Sequence, residues 1–144
     1  MVVAGRIVGG MALMRWRERR QPLKLFHWWS VIGWGLVGLV VYLSLTSEPV
    51  VLTDIDHSDK MGHLVAYFVL MAWFAQLYVR DRHGWILVAV VGLGITLEAI
   101  QGQTGFRTFD YADMTANGLG ALGAWLLAKT RCSLLFKRLE DFWF

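Results

Sequence analysis

At 144 residues the chain is one domain at most, and with 56% apolar and only 17% charged residues it departs from the balance of a soluble globular domain. Its net charge of +3 comes from basic residues gathered at the ends of apolar runs, with no aromatic-interleaved basic patch, which excludes a nucleic-acid binder. The single cysteine, Cys132, excludes an internal disulfide and a metal site of the CxxC type, and the composition reads as an integral membrane protein.

The chain opens with a basic segment, 1–24, whose apolar part is too short to span and contains Arg6. Four apolar runs follow, roughly 25–46, 61–79, 84–101 and 112–128, each close to the ~20 helical residues that a bilayer core requires. Each is apolar around the whole helix circumference, as lipid on one side and protein on the other would ask. Trp28, Trp29, Tyr42, Trp73, Tyr78, Trp85 and Trp125 punctuate these runs, several near their ends, where amphipathic rings favour the interface. The first run is too long and comes too late for a cleaved signal peptide, and it reads as a retained anchor. The tail, 129–144, gathers Leu134, Leu135, Leu139, Phe142 and Trp143 on one face, with Lys137, Arg138 and Glu140 elsewhere, a pattern suited to the inner membrane surface or the cytoplasm. The expected fold is all-α, an integral membrane bundle of four transmembrane helices over 25–128.

Orientation follows from the basic residues, because cytoplasmic loops carry the excess of Lys and Arg. Twelve of the fourteen lie before the first run, between the second and third, or after the fourth. Only Lys60 and Arg107 fall in the other two loops, which also hold Glu48, Asp54, Asp56, Asp59 and Asp110. Both termini are therefore expected in the cytoplasm of a protein of the plasma (inner) membrane.

That topology gathers the polar residues at one membrane face. Asp59, Lys60, His63 and Tyr67 enter the second helix at its outer end; Glu98 and Gln101 leave the third; Asp113 and Asn117 enter the fourth, after Arg107 in the loop. His63 with Tyr67 and Asp113 with Asn117 are spaced i, i+4, and Glu98 with Gln101 i, i+3, so each pair shares a helix face. Beside the last pair run Ala112, Ala116, Gly120, Ala124 and Ala128, small residues at every fourth position that let a neighbouring helix approach in lipid. The fourth helix is expected at the centre of the bundle, its polar face turned to protein.

The same residues carry a resemblance. The order D-K-x-x-H-x-x-x-Y (Asp59 to Tyr67), E-x-x-Q (Glu98 to Gln101) and R-x5-D-x3-N-x2-G (Arg107 to Gly120) resembles the VanZ-like family of small multi-helix membrane proteins over the last three helices, about half the chain. The resemblance implies a helical membrane fold with a polar cluster. The family is named for a protein associated with resistance to the lipoglycopeptide teicoplanin, and by family analogy alone it links the chain to lipoglycopeptide resistance.

Simpler readings compete at several positions. Asp59 and Asp110 stand where helix N-caps are expected, and Asp113, three residues after Asp110, fits a capping box. Lys60 and Tyr67 also suit snorkelling or interfacial roles. His57 with Asp54 and Asp56 reads as an exposed acidic loop rather than a metal site, and neither a cofactor nor a metal is expected anywhere in the chain. Glu98 is hardest to explain blandly: an ionisable residue inside an apolar helix costs about 2.5–3.5 kcal/mol near the middle and is usually paired, here with Lys60, Arg107 or His63. Asp59, Lys60, His63, Tyr67, Glu98, Gln101, Arg107, Asp113 and Asn117 are accordingly expected to bind the head group of a membrane lipid or a lipid-linked envelope precursor. The alternative is a membrane-embedded hydrolase or transferase with His63 or Glu98 as general base, although no G-x-S-x-G or H-E-x-x-H occurs. A proton-relaying carrier ranks last, since the inner halves of the helices are apolar. The sequence leaves a homo-oligomer open.

Overall fold

A computed structural model of the protein describes residues 19–46, 58–104 and 109–143, so Arg107 and the trio Asp54, Asp56 and His57 lie outside the described residues. Among the described residues there are five α-helices and no strand: α1 (Phe26–Leu45), α2 (Ser58–Leu77), α3 (His83–Gln101), α4 (Tyr111–Ala128) and α5 (Leu135–Trp143). Single 3-10 turns, Arg80–Arg82 and Arg131–Leu134, lead into α3 and α5.

Among the described residues two runs, Phe26–Leu45 and Arg80–Gln101, are long and apolar enough to cross a membrane. A third counts if α4 and the tail beyond it, which meet at a 76° bend, form one span. Four spans are expected from sequence; by length and hydropathy two of the described helices qualify, or three if the bent pair is one span. α1 buries only Gly33 and Ser44 and exposes Trp28, Val31, Ile32, Trp34, Leu39 and Tyr42, an outward apolar surface that suits lipid. By contrast α2 carries Asp59, Lys60 and His63, and α4 carries Asp113 and Asn117, which lowers the hydropathy of both helices.

The helix with the most neighbours is α2, which packs on α1, α3 and α4, and its contact with α4 is the most extensive in the molecule. α4, expected at the centre of the bundle, packs on both α2 and α3, while the bulky core side chains Tyr67, Leu70, Met71, Phe74 and Leu77 all come from α2. The small stripe does what its spacing implies from its second member onward: Ala116, Gly120, Ala124 and Ala128 are buried, whereas Ala112 is exposed. At Gly120 a Cβ would run into the backbone carbonyl oxygen of Leu64 and stand 3.1 Å from the amide nitrogen of Phe68, so only glycine allows the two backbones to touch.

The end of the bundle that holds the α1 N-terminus is closed by α5. Phe136 stacks on Trp29 at 4.3 Å and meets Trp73 edge-on at 4.8 Å. Gln76 donates from Nε2 to the Cys132 carbonyl (2.7 Å) and accepts at Oε1 from the Leu135 N–H (2.9 Å). Sequence reading grouped Glu140 with the polar residues of the tail. The structure instead buries it, with its carboxylate accepting from the N–H groups of Lys24 and Leu25 and from Trp29 Nε1. A carboxylate from the last helix thereby satisfies the two backbone donors that lead into α1, whose N-cap Leu25 has no side chain to cap the helix.

Candidate functional site

The opposite end of the bundle brings together the start of α2, the end of α3 and the start of α4. Asp110 is the N-cap of α4, its carboxylate accepting from the Ala112 N–H at 2.7 Å. The reciprocal half of a capping box would have Asp113 reach back to the Asp110 N–H. That N–H is taken by Glu98 Oε1 of α3 at 2.7 Å. Asp113 is thereby freed from capping and turns towards α2.

There it meets two side chains. Lys60 Nζ lies 2.9 Å from Asp110 Oδ2 and 3.4 Å from Asp113 Oδ1. His63 Nε2 stands 3.7 Å from Asp113 Oδ2 and 3.9 Å from Asp59 Oδ1. The other ring nitrogen, Nδ1, is 3.1 Å from Asn117 Oδ1. With Asn117 Oδ1 as the acceptor, the ring donates from Nδ1 and turns Nε2 towards the two aspartates. Asp113 and Asn117 are both buried, and both point into protein as their spacing predicts. Asp59, His63 and Asp113 each offer one donor atom to a metal, and these three atoms lie within 4.8 Å of one another.

The remaining candidates behave differently. Glu98, 2% exposed, spends its carboxylate on the Asp110 backbone. The expected pairing with Lys60 is not what forms, since Lys60 bridges the two aspartates of α4. Gln101 faces α1, donating from Nε2 to the Ser44 carbonyl at 2.6 Å, and so ties two helix ends together instead of entering the cluster. Tyr67 is a core residue, 1% exposed, and lies against Gly94 of α3, where a Cβ would stand 2.9 Å from its ring. Arg107 lies outside the described residues. Asp110, read from sequence as a cap, is both a cap and a member of the charged group. Its second role was not read from the sequence.

Among the described residues the cluster holds four carboxylates (Asp59, Glu98, Asp110, Asp113) and one ammonium (Lys60), so it is acidic whenever His63 is neutral. The Lys60 ammonium, and after it the Ala112 N–H, hold the Asp110 carboxyl below its ordinary value of 3.8. A depressed carboxylate contributes stability above the ordinary value, lost as pH falls through the lowered one. Asp110→Asn, which preserves the cap, should therefore lower the melting temperature at pH 7, and the difference from wild type should close below about pH 4. Parallel melts across that range check it; a gap that persists in acid would mean the bridge is not its source.

Compared with family models, curated proteins and solved structures, the chain finds no match in any of the three.

Proposed function

We propose that the chain is a four-span membrane protein with both termini in the cytoplasm, and that its outer-face cluster binds the polar head of a cell-envelope lipid or amphiphile. The observation that carries this reading is a partly exposed polar cluster, made by Asp59, Lys60, His63, Asp110, Asp113 and Asn117, at one end of a bundle whose outer helices expose apolar side chains. Polar groups placed within reach of lipid depth are costly and commonly functional. The less apolar α2 and α4 count as spans on this reading because they pack on each other, so their polar faces need not meet lipid. VanZ-like membership is part of this proposal and rests on the sequence order from Asp59 to Gly120.

The acidic balance of the cluster shapes what it holds. An amine or a hydroxyl-rich sugar would be taken up directly through Asp59, Asp113 and Asn117, while a bare phosphate would need Arg107 or a cation. A second reading is an enzyme, favoured by the orientation of His63: a ring fixed at Nδ1 with Nε2 open is how a general base is held.

One experiment separates them. Protein purified in detergent is offered a panel of envelope lipids, and retained lipid and converted product are both read by mass spectrometry. A binder retains lipid without conversion, and Asn117→Ala or Arg107→Ala weakens retention by about 1.5–3 kcal/mol where a charged hydrogen bond is lost. An enzyme yields product, and His63→Gln or Glu98→Gln slows turnover by roughly 10²–10⁴-fold with retention intact. No retained lipid, with all variants like wild type, would leave the cluster a packing device.

A further inference from the structure

The gap between His63 Nε2 and its two aspartates has an unusual size. At 3.7 and 3.9 Å the nitrogen is too far from Asp113 Oδ2 and Asp59 Oδ1 for a hydrogen bond. Nothing among the described residues donates to or accepts from this nitrogen at hydrogen-bond distance, although the side chain is only 10% exposed. Two atoms bound at about 2.1 Å to one zinc ion, at a tetrahedral angle, stand roughly 3.4 Å apart. The two distances from His63 Nε2 are thus within about half an ångström of that spacing, and all three donor atoms lie within 4.8 Å of one another, so a small inward turn of the exposed Asp59 side chain closes the set around one ion.

We propose that Asp59, His63 and Asp113 bind one divalent transition-metal ion of the zinc type. Three independent features fit. Asp59 and His63 are i, i+4 on α2, the spacing at which two helical side chains reach a common point. The Nδ1–H bond to Asn117 is the outer-shell contact that fixes the tautomer and aim of a ligating histidine. The ligand set also carries two negative charges and a neutral imidazole, which matches a dication. Asp113 divides its oxygens, Oδ1 to Lys60 and Oδ2 to the ion, so the Lys60 bridge and the metal coexist. Asp59 has a side chain 60% exposed and opens the site to solvent, which leaves a fourth position for water or for an oxygen of a bound ligand.

Metal binding itself is independent of the head-group reading above; only the step in which the ion takes a phosphate oxygen at its fourth position rests on that reading. Such a step would reconcile an acidic cluster with an anionic head group, since the ion supplies the charge that the described side chains lack.

The test uses the full chain in detergent, stripped with a chelator, dialysed against Zn²⁺ and assayed by elemental mass spectrometry, with Co²⁺ as a spectroscopic substitute. One Zn²⁺ per chain is expected, with Co²⁺ giving the intense visible bands of a tetrahedral site. His63→Gln and Asp113→Asn should lose the ion. Asp59→Asn, at an exposed position that leaves folding intact, should also lose it, and decides the question if the buried variants fail to fold. Asn117→Ala should weaken binding about 10–100-fold. Lys60→Met should tighten it, by up to about tenfold, because a neighbouring positive charge is removed; a merely structural ion pair gives no such gain. The exposed His27→Ala, at the far end of the bundle, should keep the ion. Less than stoichiometric Zn²⁺ on the wild type, or Zn²⁺ held equally by Asp59→Asn, overturns the proposal. Lipid retained equally with and without Zn²⁺, on a chain that binds none, would overturn the metal site and leave the head-group reading standing. Zn²⁺ bound with no lipid retained would do the reverse.

Discussion

Gly120→Ala should separate α2 from α4 and dismantle the polar cluster with it. The added methyl has nowhere to go: on one side is the Leu64 carbonyl oxygen, with its carbon 3.0 Å away, and on the other the Phe68 nitrogen at 3.1 Å. These are backbone atoms, so no side-chain rotation relieves the clash and the helices must move apart. Overpacking of a tight contact costs about 1–3 kcal/mol, and a backbone clash belongs at or above the top of that range. Asp113 and Asn117 lie on the same buried face, two turns and one turn before Gly120, so the movement also lengthens the Lys60–Asp113 and His63–Asn117 contacts. Gly118 is the control, because a Cβ there meets nothing within 4 Å. Gly118→Ala should be neutral or stabilising, by up to about 1 kcal/mol from helix propensity. Melting curves of the two variants in one detergent, side by side, measure the difference; equal stabilities would mean that the α2–α4 contact is looser than described.

Glu140→Ala should release the tail helix and loosen the start of α1. Its carboxylate is 3% exposed and accepts from the Leu25 N–H at 3.0 Å and from Trp29 Nε1 at 2.8 Å, besides the Lys24 N–H. Truncation leaves these donors without a partner at a helix N-terminus, where an anion is also favoured by the helix dipole. An unsatisfied buried donor costs about 1–3 kcal/mol, and with water reaching part of the gap the sum is about 3 kcal/mol. Glu140→Gln keeps one acceptor oxygen and should fall between. Asp141→Ala, next in sequence but exposed, should be close to neutral. Thermal unfolding gives the stability, and the rate of tryptic cleavage at Lys137 and Arg138 reports whether α5 has come away. A Glu140→Ala chain as stable and as protease-resistant as Asp141→Ala would show that the cap carries no weight.

These two sites mark where sequence was informative and where it was not. The small residues around Gly120 and the i, i+4 spacing of Asp113 and Asn117 were readable because helix periodicity places them on one face whatever their neighbours are. The helix ranges followed from the length of the apolar runs for the same reason. Side-chain partners were less readable where the partner is main chain. Glu98 was expected beside a cation and instead accepts from the Asp110 N–H, and Gln101 spends its amide on the Ser44 carbonyl. Every residue carries those backbone groups, so no pattern of residue types announces them. Glu140 was hidden differently: it caps a helix 115 positions earlier in the chain, and only the 76° bend after α4 brings it there. Tyr67 shared a face with His63, as expected, yet one turn further into the bundle that face is core. Asp59 and His63 stood together in the D-K-x-x-H order, but their partner Asp113 comes from α4 and required the close contact at Gly120 to be seen.

Sidedness decides whether this cluster can meet an envelope lipid from outside, and the chain offers a direct probe. Cys132 is its single cysteine, exposed just beyond α4, at the end opposite the cluster. Tyr111, 75% exposed, opens α4 beside Asp110. A membrane-impermeant maleimide applied to intact spheroplasts should label Tyr111→Cys in a Cys132→Ser background, while wild-type Cys132 should react only after permeabilisation. Labelling of Cys132 from outside, with Tyr111→Cys protected until the membrane is opened, would put the cluster on the cytoplasmic side and contradict the proposed function.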